Sequence, residues 1–297
     1  MKKTLTRVFV IIGTILFVVA SGVLGFFAND WFKENHECNY ATEYSYNKTS
    51  HWRECKDTDL CDKYTDYAAH VGMDEDNICD VCLYGSKVLV NGVNYDTLQD
   101  AVNSYTDEPI TLTLFEDTID SGLVVDGQEI IIDLNGKTYT PDEAVGSAGT
   151  KTIGFQFLKG SKVTIKNGTL KAGEEGIKML IQNYADLTLE NVTLDGRGLI
   201  GTGANQTGAN YVLSNNCGNI TIKGNTTIIA DEGDYAFDAY YYHSGGYIEG
   251  VTVSFADFTG SIQGKVQVDG NFVGAPGQAK IVKPDGTELT ENGIYEI

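Results

Sequence analysis

The sequence predicts an all-β chain organised as a right-handed parallel β-helix. A small His/Cys-rich metal-binding module and a transmembrane or signal segment precede the solenoid. Three observations carry that reading. Apolar pairs recur as Ile130-x-Ile132, Val163-x-Ile165, Leu187-x-Leu189, Ile220-x-Ile222 and Val251-x-Val253. The steps from one pair to the next are 33, 24, 33 and 31 residues, the spacing of a solenoid with one supersecondary unit per period. Most pairs lead into Asn or Gly, at Asn135-Gly136, Asn167-Gly168, Asn191 and Gly224-Asn225, residues that tolerate a left-handed corner. The period of two and the β-branched content make these units strands, and each is too small to bury its own apolar face.

Stacked in parallel, the coils place Val163, Ile165, Leu187, Leu189, Ile220 and Ile222 inward. Thr164, Lys166, Thr188, Glu190, Thr221 and Lys223 then face outward. The corner asparagines are expected to bond to one another along the coil axis. The first copy carries one extra residue, Leu134, before its Asn-Gly, so its register is imperfect. A β-sandwich of look-alike strands is the alternative.

The motifs Tyr95–Val102 (YDTLQDAV), Ile132–Thr138 (IDLNGKT), Val163–Leu170 (VTIKNGTL), Leu187–Val192 (LTLENV) and Ile220–Gly224 (ITIKG) resemble the pectin-lyase-like β-helix domains of bacterial surface proteins and some phage fibres. The resemblance spans Tyr95 to Gln267 and specifies a fold far better than an activity.

From the N-terminus, Lys2, Lys3 and Arg7 precede an uncharged run from Val8 to Phe27, long enough to span a bilayer. The leading charges predict a cytoplasmic start and an exported body. Residues 1–30 are read as a signal-anchor with a partner membrane at 8–27 and a body outside the cell. Phe26, Phe27 and Trp31 form an interfacial aromatic border. Cleavage after Ala20 or Gly22 would make the protein secreted instead. The formal net charge of −20 favours a solvated body and argues against nucleic acid as a partner.

Residues 36–84 are read as the His/Cys-rich module. Between His36 and Cys82 lie five of the six cysteines (Cys38, Cys55, Cys61, Cys79, Cys82) and three of the four histidines. Cys79-Asp-Val-Cys82 has the gap that lets two thiolates share a tetrahedral ion. The expected structural zinc is held chiefly by Cys55, Cys61, Cys79 and Cys82, with His51 and His70 in reserve. His51-Trp52-x-x-Cys55, His70 and Cys79-Asp-x-Cys82 resemble the short His/Cys modules of Gram-positive surface proteins, and the five-residue gap to Cys61 departs from their spacing. Two disulfides with one thiol left over are the alternative, and the odd count with accompanying histidines favours zinc.

Residues 85–109 read as a linker strand and a capping helix that buries Leu98, Ala101 and Val102, with Asp96 near its start. The β-helix follows at 110–279, and a hairpin at 280–297 turns on Pro284-Asp285-Gly286.

Three features of the solenoid bear on chemistry. Tyr235, Tyr240, Tyr241, Tyr242 and Asp238 form a candidate glycan-binding strip, weighed against aromatics that simply fill the interior. Asp231, Asp234 and Asp238 are oxygen donors at close spacing, yet no calcium loop motif accompanies them. Pectate lyases of the resembled fold use an arginine base beside calcium-binding acids. Here Arg197, in Asp195-Gly-Arg197-Gly, is the one arginine of the solenoid, and no catalytic residue is assigned. Cys217 is expected to be a buried, small apolar residue. The expected function is a non-enzymatic cell-surface spacer or adhesin-like module binding glycan or protein. The alternatives are a polysaccharide lyase or glycoside hydrolase and, more distantly, metal sensing or storage.

Overall fold

The computed structural model describes residues 37–47, 49–57, 63–72, 78–85, 87–146, 151–173, 176–200, 210–243 and 250–297. The anchor expected at 1–30, Cys61 and most of the loop after Arg197 lie outside the described residues. Among the described residues no helix is long and apolar enough to cross a membrane. The chain divides into two compact units, 1–85 and 86–297.

In the first unit, β1 (Ser45–Tyr46), β2 (Ser50–Glu54) and β3 (Tyr64–Ala69) form an antiparallel sheet in that order. Ser50 and His51 face Ala69 and Ala68, while Glu54 faces Tyr64. Between them the register shifts at Asp66, whose φ of +55° marks a bulge.

The second unit opens with a hairpin, β4 (Val88–Val90) and β5 (Val93–Tyr95), followed by α1 (Leu98–Asn103). Thr97, not Asp96, caps this helix: its hydroxyl accepts from the Asp100 N–H at 3.0 Å and donates to the Asp100 carboxylate at 2.8 Å. Leu98, Ala101 and Val102 are buried, as their spacing predicts.

The chain then passes repeatedly through three columns of parallel strands. The first pass is β6 (Ile110–Leu114), β7 (Thr118–Ser121) and β8 (Leu123–Val125). Next come β9 (Glu129–Asp133), β10 (Thr138–Glu143) and β11 (Ile153–Phe157). In the following two passes the first two columns fuse into one bent strand. These are β12 (Lys162–Lys171) with β13 (Met179–Asn183), and β14 (Asp186–Asp195) with β15 (Tyr211–Asn215). Then follow β16 (Asn219–Lys223), β17 (Thr227–Ile229) and β18 (Tyr235–Tyr240). The last pass is β19 (Val251–Ala256), β20 (Ser261–Gln263) and β21 (Lys265–Asp269). Each strand pairs in parallel with its counterpart one pass away, an arrangement compatible with a parallel β-helix.

Register follows the apolar pairs: Val163 stands over Ile130 and under Leu187, which stands under Ile220. All six residues expected inward are at most 1 % exposed. The last copy departs from the expectation. Ile220 pairs with Val253 and Ile222 with Phe255, so Val251 lies two residues out of step. Phe255 supplies the bulk that covers Ile222 and packs edge-on to Phe258, giving the slipped register a large apolar partner.

The corners are left-handed at Asn167, Asn191, Gly224 and Asp257, with φ between +48° and +57°. Coil two makes its corner one residue later, at Asn135, as the extra Leu134 requires. At Gly168 a β-carbon would lie 2.6 Å from the Lys137 carbonyl, so the neighbouring coil excludes any side chain there. At the corners Asn191 accepts through its side-chain oxygen from the Asn225 N–H at 3.0 Å, and a pair bonded side chain to side chain forms elsewhere. Asn183 donates to Asn215 at 2.9 Å, and Asn215 to the Gly218 carbonyl, both fully buried at the end of the third column.

Both ends of the columns are finished. β4 pairs antiparallel with β6. The Gln99 amide accepts from the Val124 N–H and donates to its carbonyl, taking the place of a strand beside β8. At the far end β22 (Ala279–Val282) adds in parallel to β19 and turns through Pro284-Asp285-Gly286 into β23 (Glu288–Leu289). The final strand, β24 (Gly293–Tyr295), closes antiparallel on β21. The hairpin read at 280–297, expected to close this end or to form a small accessory sheet, thus adds to the solenoid's last strands.

Candidate functional site

The strongest site lies in the first unit. His51 sits near the start of β2, and His70 directly follows β3. Antiparallel pairing of Ser50 with Ala69 brings the two histidines to the same end of the sheet. Cys79 and Cys82 come from a turn in which Leu83 N–H bonds to the Cys79 carbonyl at 2.9 Å and Leu83 is left-handed. One ligand atom from each of His51, His70, Cys79 and Cys82 lies within 4.8 Å of the other three. His51 Nδ1 is 3.7 Å from Cys79 Sγ, and His70 Nδ1 is 3.3 Å from Cys82 Sγ. These four groups can hold a metal ion.

The surroundings orient the ligands. His70 Nε2 lies 2.8 Å from the Asn47 carbonyl, which only accepts, so this nitrogen carries the hydrogen and Nδ1 turns its lone pair to Cys82. Tyr84 stacks on His70 at 4.5 Å, and Tyr44 meets His51 edge-on at 5.0 Å. Burial opposes a thiolate at Cys79, but hydrogen bonds from the backbone of Cys82, Val71 and Val81, with His70 beside them, bring its pKa down to about 6. Burial and the neighbouring Cys79 push Cys82 up to about 11.

This set differs from the one expected. Cys79 and Cys82 belong to it, the two reserve histidines complete it, and Cys55 stands apart. Cys55 lies four residues beyond His51, roughly 13 Å along an extended strand. It is buried where its backbone bonds to Lys63 and bridges Tyr40. The missed signal was the hairpin register, which a spacing argument over cysteines does not contain.

In the second unit the five strip residues do not share one surface. Tyr241 and Asp238 are 1 % and 7 % exposed. Tyr235 stacks on Tyr211 at 4.7 Å with the Lys265 ammonium 5.6 Å from its centroid. Tyr240 and Tyr242 stack loosely, and Tyr242 is the most open at 41 %. Burial, with opposing hydrogen bonds from the Asn215 and Asp238 backbone and repulsion from Asp269, pushes the Asp238 carboxyl up to about 7. Asp231 and Asp234 are likewise bound to backbone, accepting from Gly198 and Asn210.

Several cations of the solenoid are paired with carboxylates. Arg197 clasps Asp195 through two 2.8 Å bonds, which, against burial, hold that carboxyl below its usual range. Lys166 meets Asp133 at 3.1 Å, Lys162 meets Glu129 at 2.7 Å, and Lys223 approaches Glu190 at 3.9 Å, each one coil away. Cys217 is not a buried core residue. It occupies a left-handed corner, and its sulfur accepts from the Tyr242 N–H at 3.0 Å. Nearby, Tyr105, Tyr184, Lys159, Glu129 and Asn219 line a groove of about 550 Å³.

No family model, curated protein or solved structure matches the chain.

Proposed function

We propose that this chain is a non-enzymatic binding protein displayed outside the membrane, a right-handed pectin-lyase-like β-helix preceded by a zinc-stapled module. The observation that carries the reading is the carboxylate pairing of Arg197, the solenoid's one arginine, and of the lysines Lys162 and Lys166. A lyase acting on a polyuronate needs a free base and cationic clamps, and Arg197, Lys162 and Lys166 are each held by a carboxylate. The surplus of acids over bases also repels an anionic polymer at low salt. A neutral glycan suits the groove of Tyr105 and Tyr184 and the adjoining rings of Tyr240 and Tyr242, where aromatic faces meet sugar rings. Display follows from the charged and apolar start of the sequence, with residues 8–27 as the membrane anchor.

Zinc fits the His/Cys set. Two imidazole nitrogens and two sulfurs are its ordinary donors, and tetrahedral bonds of about 2.0–2.3 Å set ligand atoms roughly 3.5 Å apart. The His51–Cys79 and His70–Cys82 separations bracket that value. Four protein ligands leave no open position, so the metal's role is structural.

The test is incubation of the full chain with polygalacturonate and millimolar calcium, followed by ultraviolet absorbance, beside a binding titration with neutral oligosaccharides. The expected outcome is no unsaturated product and oligosaccharide binding that falls in Tyr242→Ala. Turnover that vanishes in Arg197→Ala would overturn the reading in favour of a lyase.

A further inference from the structure

The face of the first unit's sheet opposite His51 carries aromatics that the metal centre does not use. Residues alternate sides along β2, so Trp52 and Glu54 point away from His51 and Arg53. Tyr64 stands opposite Glu54. Tyr67, three residues on, would ordinarily point to the other side, but the left-handed bulge at Asp66 re-aims it. Tyr67 stacks at 6.0 Å on Trp52 and lies 5.5 Å from Tyr64. Both tyrosines are more than half exposed, at 58 % and 56 %. The Trp52 indole N–H donates to Glu54 at 3.0 Å, fixing a carboxylate at the rim of the rings.

A second observation concerns the main chain. β3 is the outer strand, paired only with β2 among the described residues, and exposed along nearly its whole length. An edge of this length, unpaired among the described residues, is a template for another strand. Charge narrows the choice of that strand. Between residues 37 and 85 stand eleven acids and four bases. A second copy of the chain would bring like charge to like, and an acidic polymer would be repelled. Basic side chains gain both from the field and from the faces of Trp52, Tyr64 and Tyr67. The unit already makes one such contact internally, with the Arg53 guanidinium 4.5 Å from the Tyr44 centroid.

We propose that the open edge of β3 and the Trp52–Tyr64–Tyr67 face together dock a basic extended segment of a partner protein, which adds to the sheet as a further strand. The backbone edge supplies affinity, and Lys or Arg side chains over the rings supply selectivity. The inference rests on the reading of the chain as a binding protein and gives that reading a partner of stated chemistry. It is independent of the glycan groove, so failure of either leaves the other standing.

The experiment measures fluorescence anisotropy of a labelled peptide of alternating lysine and threonine, about ten residues long, against the full chain in mild detergent. An equally long glutamate–threonine peptide and a lysine–threonine peptide N-methylated at alternate residues serve as comparisons. Expected are binding of the basic peptide alone, weakening with salt, and a loss of about tenfold in the Tyr64→Ala/Tyr67→Ala double variant. Tyr64→Phe/Tyr67→Phe should retain binding. Metal content by native mass spectrometry confirms that each variant keeps its fold. No basic-peptide binding, equal binding of the acidic or N-methylated peptide, or an unchanged affinity in the alanine variant would overturn the proposal. So would a neutral oligosaccharide that competes for the tyrosines, or a chain dimer that the alanine variant dissolves.

Discussion

The two units meet the problem of holding a fold together in opposite ways. In the solenoid the buried set runs from Val88 to Ile281 and consists overwhelmingly of aliphatic and aromatic side chains stacked coil on coil. In the described part of the first unit the buried residues are Ser50, His51, Cys55, Cys79 and Cys82. No aliphatic side chain and no Phe, Tyr or Trp is among them. Three of the five are candidate ligands, so the interior of the small unit is its candidate metal centre. Below a certain size, burial of apolar surface cannot offset chain entropy, and another kind of bond must.

That contrast is broken most sharply by taking the metal away. Strong chelation, or Cys79→Ser, is expected to unfold the first unit while leaving the solenoid intact, because a structural zinc, the metal proposed for this set, contributes about 10–16 kcal/mol of apparent binding energy in small zinc modules. Hydrogen exchange resolves the two: amides of β2 and β3 should lose protection, and those of β12 to β16 should keep it. Uniform loss, or none, would contradict the division.

A smaller effect sharpens the solenoid's side of the comparison, where a buried carboxyl is the exception in an apolar interior. Asp238 is raised to about 7, so the folded chain retains a proton that the unfolded chain has already released above the ordinary carboxylate value. Stability should therefore fall as pH rises from about 4 to about 7 and level off beyond, by an amount on the order of a few kcal/mol. Asp238→Asn, which keeps an acceptor for the Asn215 N–H, should flatten that dependence and stabilise the protein at pH 8. Urea midpoints of both proteins across the range measure it. A midpoint that does not change with pH in the parent would refute the expectation.

The smallest effect concerns the asparagine pair. Asn215→Ala removes the acceptor for Asn183 and the donor to Gly218 from a dry corner, at an expected cost of about 1–3 kcal/mol. Metal content should not change, because the affected corner lies in the solenoid. Denaturant unfolding paired with native mass spectrometry checks both halves of the statement.

Much of the solenoid was legible because its information is local and repeated. Two apolar residues flanking a polar one, then Asn or Gly, state the inward face and the corner together, and Val163, Leu187 and Ile220 stack as read. The slip at Val251 was invisible because Val253 and Phe255 offer an equally apolar alternation two residues on. The metal set was half legible. Cys79 and Cys82 are neighbours in sequence, whereas His51 and His70 meet only through strand pairing. The aromatic strip misled for a related reason: composition records four tyrosines and several acids but not which side of a buried strand each one takes.

Gln99 shows what it takes for a repeating object to have an end. A stack of parallel strands offers the same row of donors and acceptors at its last rung as at every other, so nothing in the repeat itself sets its length. One amide group, held at the start of a six-residue helix, presents to Val124 the donor and acceptor that a further strand would have presented. It does so without presenting a new row beyond. The rung is satisfied but not propagated, as a monofunctional monomer satisfies and halts a growing polymer. At this column, the difference between a molecule of fixed size and the first unit of a fibre comes down to one side chain with two hydrogen-bonding atoms.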